Sequence, residues 1–174
     1  DKAQEQMEEL ARLDPNDSDV KQYLFEIYQR KNKVKEAYRL AKELTRLLPD
    51  FEPAYDFIFN YLDQQGYYQD LANQATQWIK ARPKVIRFRE YRAYAHLKQN
   101  KLDLVLQDYE AIFKLKPKDI SIMLKLAKLY EGVGKIEAAI KIYDRILKIE
   151  PNHEQAAQAR LRLSLELLKA KKHM

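Results

Sequence analysis

Hydrophobic residues recur along this 174-residue chain at the spacing of amphipathic helices. The pattern is clearest between residues 120 and 151, where two apolar stripes follow one another. The first stripe is Met123, Leu126, Ala127 and Tyr130, and the second is Ile136, Ala139, Ile140, Tyr143, Ile146 and Ile149. One face of a helix presents positions i, i+3, i+4 and i+7, so each stripe predicts a helix with one buried face. The chain has only 3 glycines, which favours an all-α fold with short connections.

Five of the 6 prolines recur with a period of 34 residues. They are Pro15, Pro49, Pro83, Pro117 and Pro151. Each follows a helical segment, and proline cannot continue a helix, so each predicts a helix end. The period therefore divides the chain into repeats of two helices. The predicted divisions are residues 1–17 as the second helix of an incomplete repeat, full repeats at 18–51, 52–85, 86–119 and 120–153, and a capping helix at 154–174 with Asn152 placed to cap it.

This pattern resembles the tetratricopeptide repeat family, whose 34-residue units pair two helices. In that family small residues occupy positions 8, 20 and 27 of the unit, and proline occupies position 32. In the last full repeat Ala127, Ala139 and Pro151 fit positions 8, 20 and 32. In the first full repeat Lys21 and Phe25 depart from the pattern at positions 4 and 8. The resemblance implies an all-α, right-handed superhelical solenoid of antiparallel helix pairs over the whole chain.

The resemblance also implies a binding surface, because the first helices of the repeats line a concave groove in this family. The groove is expected to change from acidic at its N-terminal end, through an aromatic middle, to basic at its C-terminal end. Residues 1–85 carry 13 basic and 15 acidic side chains, whereas residues 86–174 carry 19 and 11. The predicted partner-binding residues are Tyr23, Glu26, Phe57, Asn60, Arg87, Tyr91, Tyr94, Lys98, Lys125, Lys128 and Arg162.

A groove of this kind predicts a scaffold or adaptor that binds a protein or peptide segment, as part of a longer protein or assembly. Aromatic rings supply rigid contact area, and the charges set the direction of the bound segment. Family members that hold the acidic tails of heat-shock chaperones use five basic or amide residues to clamp the terminal carboxylate. Counted over three successive repeats from the one at 18–51, those positions of this chain hold Gln22, Glu26, Phe57, Arg87 and Tyr91. Counted from the next repeat, the match is little better, so a chaperone-tail clamp is not expected.

The sequence contains no pattern that predicts catalysis, a metal site or a cofactor site. His96, His153 and His173 are far apart, no carboxylates join them at ligand spacing, and the chain has no cysteine. His96 occupies a position that normally packs within the repeat, so a structural histidine is expected there. Three isolated glycines cannot form a phosphate-binding loop. We therefore expect a non-enzymatic chain without a cofactor.

Two other functions stay open. The basic C-terminal half leaves RNA binding open as the less expected alternative. An affinity that falls steeply with salt concentration would reveal it. Residues 2–13 form a second helix whose apolar flank has no first helix to cover it, which predicts self-association or further repeats before Asp1. No run approaches the roughly 18 apolar residues of a membrane span. A soluble domain is expected, with the cytoplasm favoured, and a signal or anchor could lie outside residues 1–174.

The segment RFREYRAYAHLK at residues 87–98 mixes cations with aromatic rings, as surfaces for single-stranded nucleic acid do. Their positions in the 34-residue repeat place these residues on two different sides of the predicted helix. Arg87, Tyr91, Tyr94 and Lys98 fall on the groove side. Arg89 and Arg92 instead fall at positions 4 and 7, where apolar side chains are usual. Burying two guanidinium groups without partners is strongly unfavourable, so carboxylate partners are predicted, and repeat position suggests Asp70 and Asp108.

Overall fold

The computed structural model describes residues 2–172, which form ten α-helices joined by short turns. The helices are α1 (Lys2–Leu13), α2 (Ser18–Arg30), α3 (Val34–Leu47), α4 (Glu52–Gln65), α5 (Tyr68–Ala81), α6 (Ile86–Lys98), α7 (Leu102–Leu115), α8 (Ile120–Gly132), α9 (Ile136–Ile149) and α10 (Glu154–Lys172). Helix is the only regular structure in this part of the chain, which confirms the all-α prediction. His173 and the end of the predicted capping helix lie outside the described residues.

The periodic prolines mark helix ends as predicted. Each lies two residues beyond the last residue of α1, α3, α5, α7 or α9, and the next helix begins three residues after it. The turn inside each full repeat is also periodic, because one residue there has a left-handed backbone. These residues are Asn32 (φ 54°), Gly66 (φ 71°), Asn100 (φ 56°) and Gly134 (φ 75°). Glycine and asparagine adopt this conformation at the lowest cost, which explains why so few glycines suffice.

One hydrogen bond recurs in the same repeat positions at both ends of the chain. Tyr28 donates its hydroxyl to the Glu8 carboxylate at 3.0 Å, and Tyr130 donates to Glu110 at 2.8 Å. The two pairs are three repeat periods apart. Burial, together with the carboxylate partner, raises the pKa of each tyrosine to about 12. Each bond joins the first helix of a repeat to the second helix of the preceding repeat.

The chain packs as two compact units, the first ending at Tyr67 and the second beginning at Tyr68. The first unit contains α1 to α4. Phe25, at a position where the family prefers a small residue, is buried and meets the rings of Phe51 and Phe57 edge-on at 6.1 and 5.4 Å. Lys21, the other departure, is also buried and forms an ion pair with Glu43. Both departures from the family pattern are therefore accommodated, Phe25 by two aromatic rings and Lys21 by a carboxylate.

The second unit contains α5 to α10. Its core cluster includes Met123, Leu126, Ala127, Ala139, Tyr143 and Ile146, together with Ala156 and Leu163 of α10. Most of the predicted stripe is thus buried, whereas Ile149 is exposed because it is the last residue of α9.

The prediction that Asn152 caps α10 is wrong. The helix begins at Glu154, and Nδ1 of His153 accepts a hydrogen bond from the backbone N–H of Ala156 at 3.2 Å. His153 therefore takes the capping position, one residue later than the sequence suggested.

Candidate functional site

Two arginines of α6 share one buried carboxylate. Arg92 donates from Nη2 and Nε to Asp108 of α7 at 2.6 and 3.0 Å, and Nη1 of Arg89 lies 3.9 Å from the same group. Arg92 also donates to the hydroxyl of Thr76 on α5 at 3.2 Å. Asp108 is only 1 % exposed, whereas Asp70, the other predicted partner, is on the surface. The guanidinium groups thus tie α6 to both of its neighbours and fix which face of α6 points outward.

An aromatic cluster supports α6 on its other flank. Trp78 of α5 lies 5.6 Å from the ring of Phe88 and 6.2 Å from the ring of Tyr91. Tyr91 is only 9 % exposed, so the expectation that it offers an open ring to a partner needs correction. Its edge-on packing against Trp78 makes it a support for Arg87, whose guanidinium lies 6.0 Å from the Tyr91 ring.

The outward face of α6 carries the other predicted residues. Arg87 and Lys98 are exposed and Tyr94 is half-buried. The Lys98 ammonium lies 5.3 Å from the centre of the Tyr94 ring, and Tyr94 meets Tyr68 of α5 at 6.5 Å. These contacts hold the ring and the cation side by side.

Helix α8 also carries exposed cations. Lys125 and Lys128 are both exposed, and the Lys125 ammonium lies 5.9 Å from the Tyr109 ring of α7. Burial, and then the negative charge of Glu90 on α6, raise the pKa of Tyr109. Tyr109 of α7 is therefore near charged groups of both α6 and α8.

Arg162 connects α10 to α8. Its guanidinium donates to Glu131 at 2.6 Å, and Glu131 also accepts from the Tyr143 hydroxyl at 2.7 Å. Glu166 is a further partner of Arg162 at 3.5 Å. These bonds offset the negative charge of Glu131. We call the predicted binding residues of the second unit that are exposed or half-buried, Arg87, Tyr94, Lys98, Lys125, Lys128 and Arg162, the basic face.

The predicted binding residues of the first unit lie on α2 and α4. Tyr23, Glu26 and Asn60 are exposed, and Glu26 pairs with Arg30 at 3.5 Å. Phe57 is half-buried against Phe25. Their role in binding stays a prediction.

His96 packs as a structural residue. It is half-buried between helices, its Nδ1 is buried without a hydrogen-bond partner, and burial lowers its pKa. Among residues 2–172, no three His, Asp or Glu side chains come close enough to hold a metal ion. Within the same range, no helix is both long and apolar enough to cross a membrane.

We expect Glu131 to make the stability of the second unit depend on pH. Its burial acts to raise the pKa, but the hydrogen bonds from Arg162 and Tyr143 and the nearby positive charges outweigh it, so the pKa lies below its ordinary value of 4.5. A carboxyl with a depressed pKa stabilises the fold above its ordinary pKa, and this contribution disappears as the pH falls through the folded-state value. When the pH is lowered below about 5, the free energy of unfolding measured with urea should therefore fall less for Glu131→Gln than for the wild type. The exposed Glu137→Gln is the control, and equal losses in all three proteins would contradict the assignment.

Comparison with known proteins finds the same repeat in part of this chain. Residues 96–163 match the model of the family described as tetratricopeptide repeat. Superkiller protein 3 of Saccharomyces cerevisiae is 27 % identical over 59 residues, which are 34 % of this chain and 4 % of that protein. Sperm-associated antigen 1 of Mus musculus is 26 % identical over 91 residues, which are 52 % of this chain and 10 % of that protein. The chain thus spans a tenth or less of these curated relatives.

Three solved structures share the fold. MamA superposes with a TM-score of 0.61 at 18 % identity, covering 88 % of this chain and 90 % of its own. YrrB, titled a TPR protein with an unusual peptide-binding site, gives 0.58 at 16 % identity, covering 91 % and 82 %. The first TPR of Spaghetti (RPAP3), bound to an HSP90 peptide, gives 0.50 at 24 % identity, covering 63 % and 87 %. The 34-residue period, the family match across residues 96–163 and this shared fold support a protein of the tetratricopeptide repeat family.

Proposed function

We propose that the chain is a protein-interaction scaffold and that the basic face of the second unit binds an acidic peptide segment. The observation that carries the proposal is the pair Lys125 and Lys128, both exposed on α8, in a unit whose helices α6 and α10 also carry exposed cations. The nearest carboxylate of α8, Glu131, already has Arg162 and Tyr143 as partners. Cations arranged in this way favour an acidic partner and speed its approach.

Tyr94 adds an apolar contact to the face. Its ring is half-buried beside the Lys98 ammonium, so one bound segment can place a carboxylate near Lys98 and an apolar side chain against Tyr94. Aromatic anchors next to charges are common in the energetic centre of protein interfaces. The expected segment therefore combines acidic residues with aliphatic or aromatic ones.

The solved structures of the same fold support binding of a peptide as the class of function. YrrB is titled as having a peptide-binding site, and the RPAP3 domain was solved with an HSP90 peptide. The five-residue clamp for a terminal carboxylate is incomplete here, since Glu26 would repel that group where a cation or amide is needed. We therefore propose an internal acidic segment as the ligand, rather than a chaperone tail.

RNA binding is a weaker proposal because, of the two predicted groove tyrosines of α6, one is buried and the other is only partly open. Single-stranded nucleic acid stacks its bases on open aromatic side chains. Tyr91 is buried against Trp78, and Tyr94 is half-buried against Tyr68. Cations alone would give sequence-independent binding with a steep salt dependence.

Peptides selected from a random library against the intact chain test the proposal. We expect the selected sequences to be enriched in Asp and Glu, and we expect Lys125→Ala/Lys128→Ala to weaken binding by roughly tenfold or more, since hydrogen bonds to charged groups contribute about 1.5–3 kcal/mol each. The matched control is Lys141→Ala/Lys148→Ala on α9, which removes the same charge from exposed positions elsewhere in the second unit. Equal losses in both double variants, or tighter binding of an oligouridine RNA than of any selected peptide, would contradict peptide binding at the basic face.

A further inference from the structure

Five exposed lysines of the second unit belong neither to its core nor to the basic face. They lie at or next to the connection between α5 and α6 and the connection between α7 and α8. We call them the lysine edge, which consists of Lys80, Lys84, Lys114, Lys116 and Lys118. Among residues 2–172, none of these lysines forms an ion pair with a carboxylate. Their charges are therefore available to a partner.

The two connections lie at the same end of the helices. Consecutive helices from α5 to α8 pack against each other and are joined by only three or four residues, so neighbouring helices run antiparallel. Every second connection therefore lies at the same end. Side chains link the two connections as well, because Arg89 donates to the Pro83 carbonyl at 3.5 Å and also lies 3.9 Å from Asp108 of α7. The two groups of lysines thus share one edge of the second unit.

Helix stability explains only part of the lysine edge. Lys80 and Lys114 lie in the last turns of α5 and α7, where a cation is favoured by the helix dipole. Lys84 and Lys118 instead lie two residues before the first residue of α6 and of α8, where the positive end of the helix disfavours a cation. The other repeats have Asn16, Asp50 and Asn152 at this position. The fold therefore does not require lysine there.

The aromatic rings near this edge are covered. Trp78 and Phe88 are buried, and Phe113 is half-buried with the Arg145 guanidinium 4.9 Å from its ring. Single-stranded nucleic acid needs open rings on which its bases can stack. The lysine edge is therefore poorly suited to single-stranded nucleic acid.

The lysines and an aliphatic side chain instead suit the surface of an anionic bilayer. Leu115 is exposed at the end of α7, between Lys114 and Lys116. Lysine attracts lipid phosphates as a point charge, whereas specific recognition of a phosphate favours the bidentate bonds of arginine. Clusters of about four to eight cations bind anionic lipid, and a neighbouring aliphatic side chain adds apolar contact in the interfacial region.

We propose that the lysine edge binds the surface of an anionic phospholipid bilayer. The ammonium groups lie near the lipid phosphates, and Leu115 enters the headgroup region. The contact is peripheral and largely electrostatic, so it weakens as salt screens the charges. It uses none of the residues of the basic face, and the inference does not depend on peptide binding by that face.

Cosedimentation of the full chain with vesicles tests the proposal. We expect binding to vesicles of equal parts phosphatidylglycerol and phosphatidylcholine, and none to vesicles of phosphatidylcholine alone. Lys84→Gln/Lys118→Gln should weaken the binding by roughly thirtyfold, because each lysine near an anionic surface contributes to the affinity. The matched control is Lys101→Gln/Lys135→Gln, which removes the same charge from two exposed positions at the opposite end of the helices.

Tryptophan fluorescence locates the contact on α7. Leu115 and Leu102 are the last and first residues of this helix and are 39 % and 38 % exposed. Brominated phosphatidylcholine in the anionic vesicles should quench the fluorescence of Leu115→Trp. It should leave Leu102→Trp unchanged, as well as the wild type, whose Trp78 is buried. Equal quenching of both variants would contradict the assigned orientation.

The proposal would be overturned by a wild type that does not bind the anionic vesicles, or by equal losses in the two double variants. Nucleic acid is tested by competition. An oligouridine or duplex RNA that removes the protein from the anionic vesicles at an equal concentration of phosphate would assign the lysine edge to nucleic acid and overturn the proposal. Lys84→Gln/Lys118→Gln should bind a selected acidic peptide as tightly as the wild type, so failure of this proposal and failure of the basic face are measured separately.

Discussion

Replacing Asp108 with isoleucine should lower the free energy of unfolding of the second unit by about 3–5 kcal/mol. Asp108 is almost completely buried, and both of its carboxylate oxygens accept hydrogen bonds from the Arg92 guanidinium. The Arg89 guanidinium lies nearby. Removing the carboxylate leaves the partly buried Arg92 guanidinium with Thr76 as its remaining described partner. A buried charge without its counter-ion accounts for most of the expected loss.

The repeat supplies its own control for this substitution. In the next repeat the positions of Arg92 and Asp108 are held by Leu126 and Ile142, which are both buried. Replacing a buried ion pair by apolar residues that fit is often neutral or stabilising. We therefore expect Arg92→Leu/Asp108→Ile to recover most of the stability that Asp108→Ile loses, and adding Arg89→Met, the counterpart of Met123, to recover any remainder.

Urea unfolding at neutral pH, followed by circular dichroism, measures these differences as a double-mutant cycle. The account predicts a strongly favourable coupling between Arg92 and Asp108. It would be contradicted by an Asp108→Ile protein as stable as the wild type, or by a double variant no more stable than Asp108→Ile alone.

Truncating Trp78 to alanine should destabilise the second unit by about 3–5 kcal/mol, because it leaves a cavity next to Phe88 and Tyr91. We also expect the peptide affinity of the basic face to fall. Trp78 lies under α6 and supports Tyr91, and Tyr91 in turn positions the Arg87 guanidinium. The loss of binding would thus come from a residue that does not touch the peptide.

Trp78→Phe separates the two consequences. It keeps a ring against Phe88 and Tyr91, so the loss of stability and of peptide affinity should both be smaller than for alanine. Peptide binding is measured by fluorescence anisotropy at a temperature well below the midpoint of thermal unfolding of each variant, so that only folded protein is compared. An alanine variant that binds the selected peptide as tightly as the wild type would show that α6 is not part of the binding surface.

The features that depend on one repeat or on its period could be predicted from the sequence. Prolines 34 residues apart locate the helix ends, and the positions of Arg89 and Arg92 predict carboxylate partners, for which repeat position suggested both Asp70 and Asp108 and the structure confirms Asp108. The burial of Tyr91 could not be predicted, because it depends on the packing of its ring against Trp78 of the preceding repeat. The cap of α10 was missed for a local reason, since a histidine side chain supplies the acceptor where asparagine was expected.

The basic face is the least predictable part, because its character depends on which charges neutralise one another. From the sequence, Glu131 and Arg162 are simply opposite charges 31 residues apart. The structure joins them and leaves Lys125 and Lys128 exposed.

Amide chemical-shift mapping with a selected acidic peptide tests the central claim most directly. The isotopically labelled chain is titrated with the peptide, and the affected amides are compared along the sequence. The account predicts that the largest changes fall on the outward positions of α6, α8 and α10, around Lys98, Lys125 and Lys128. Changes concentrated instead on α9 around Lys141 and Lys148, or on α1, would contradict the assignment of the basic face as the peptide-binding site.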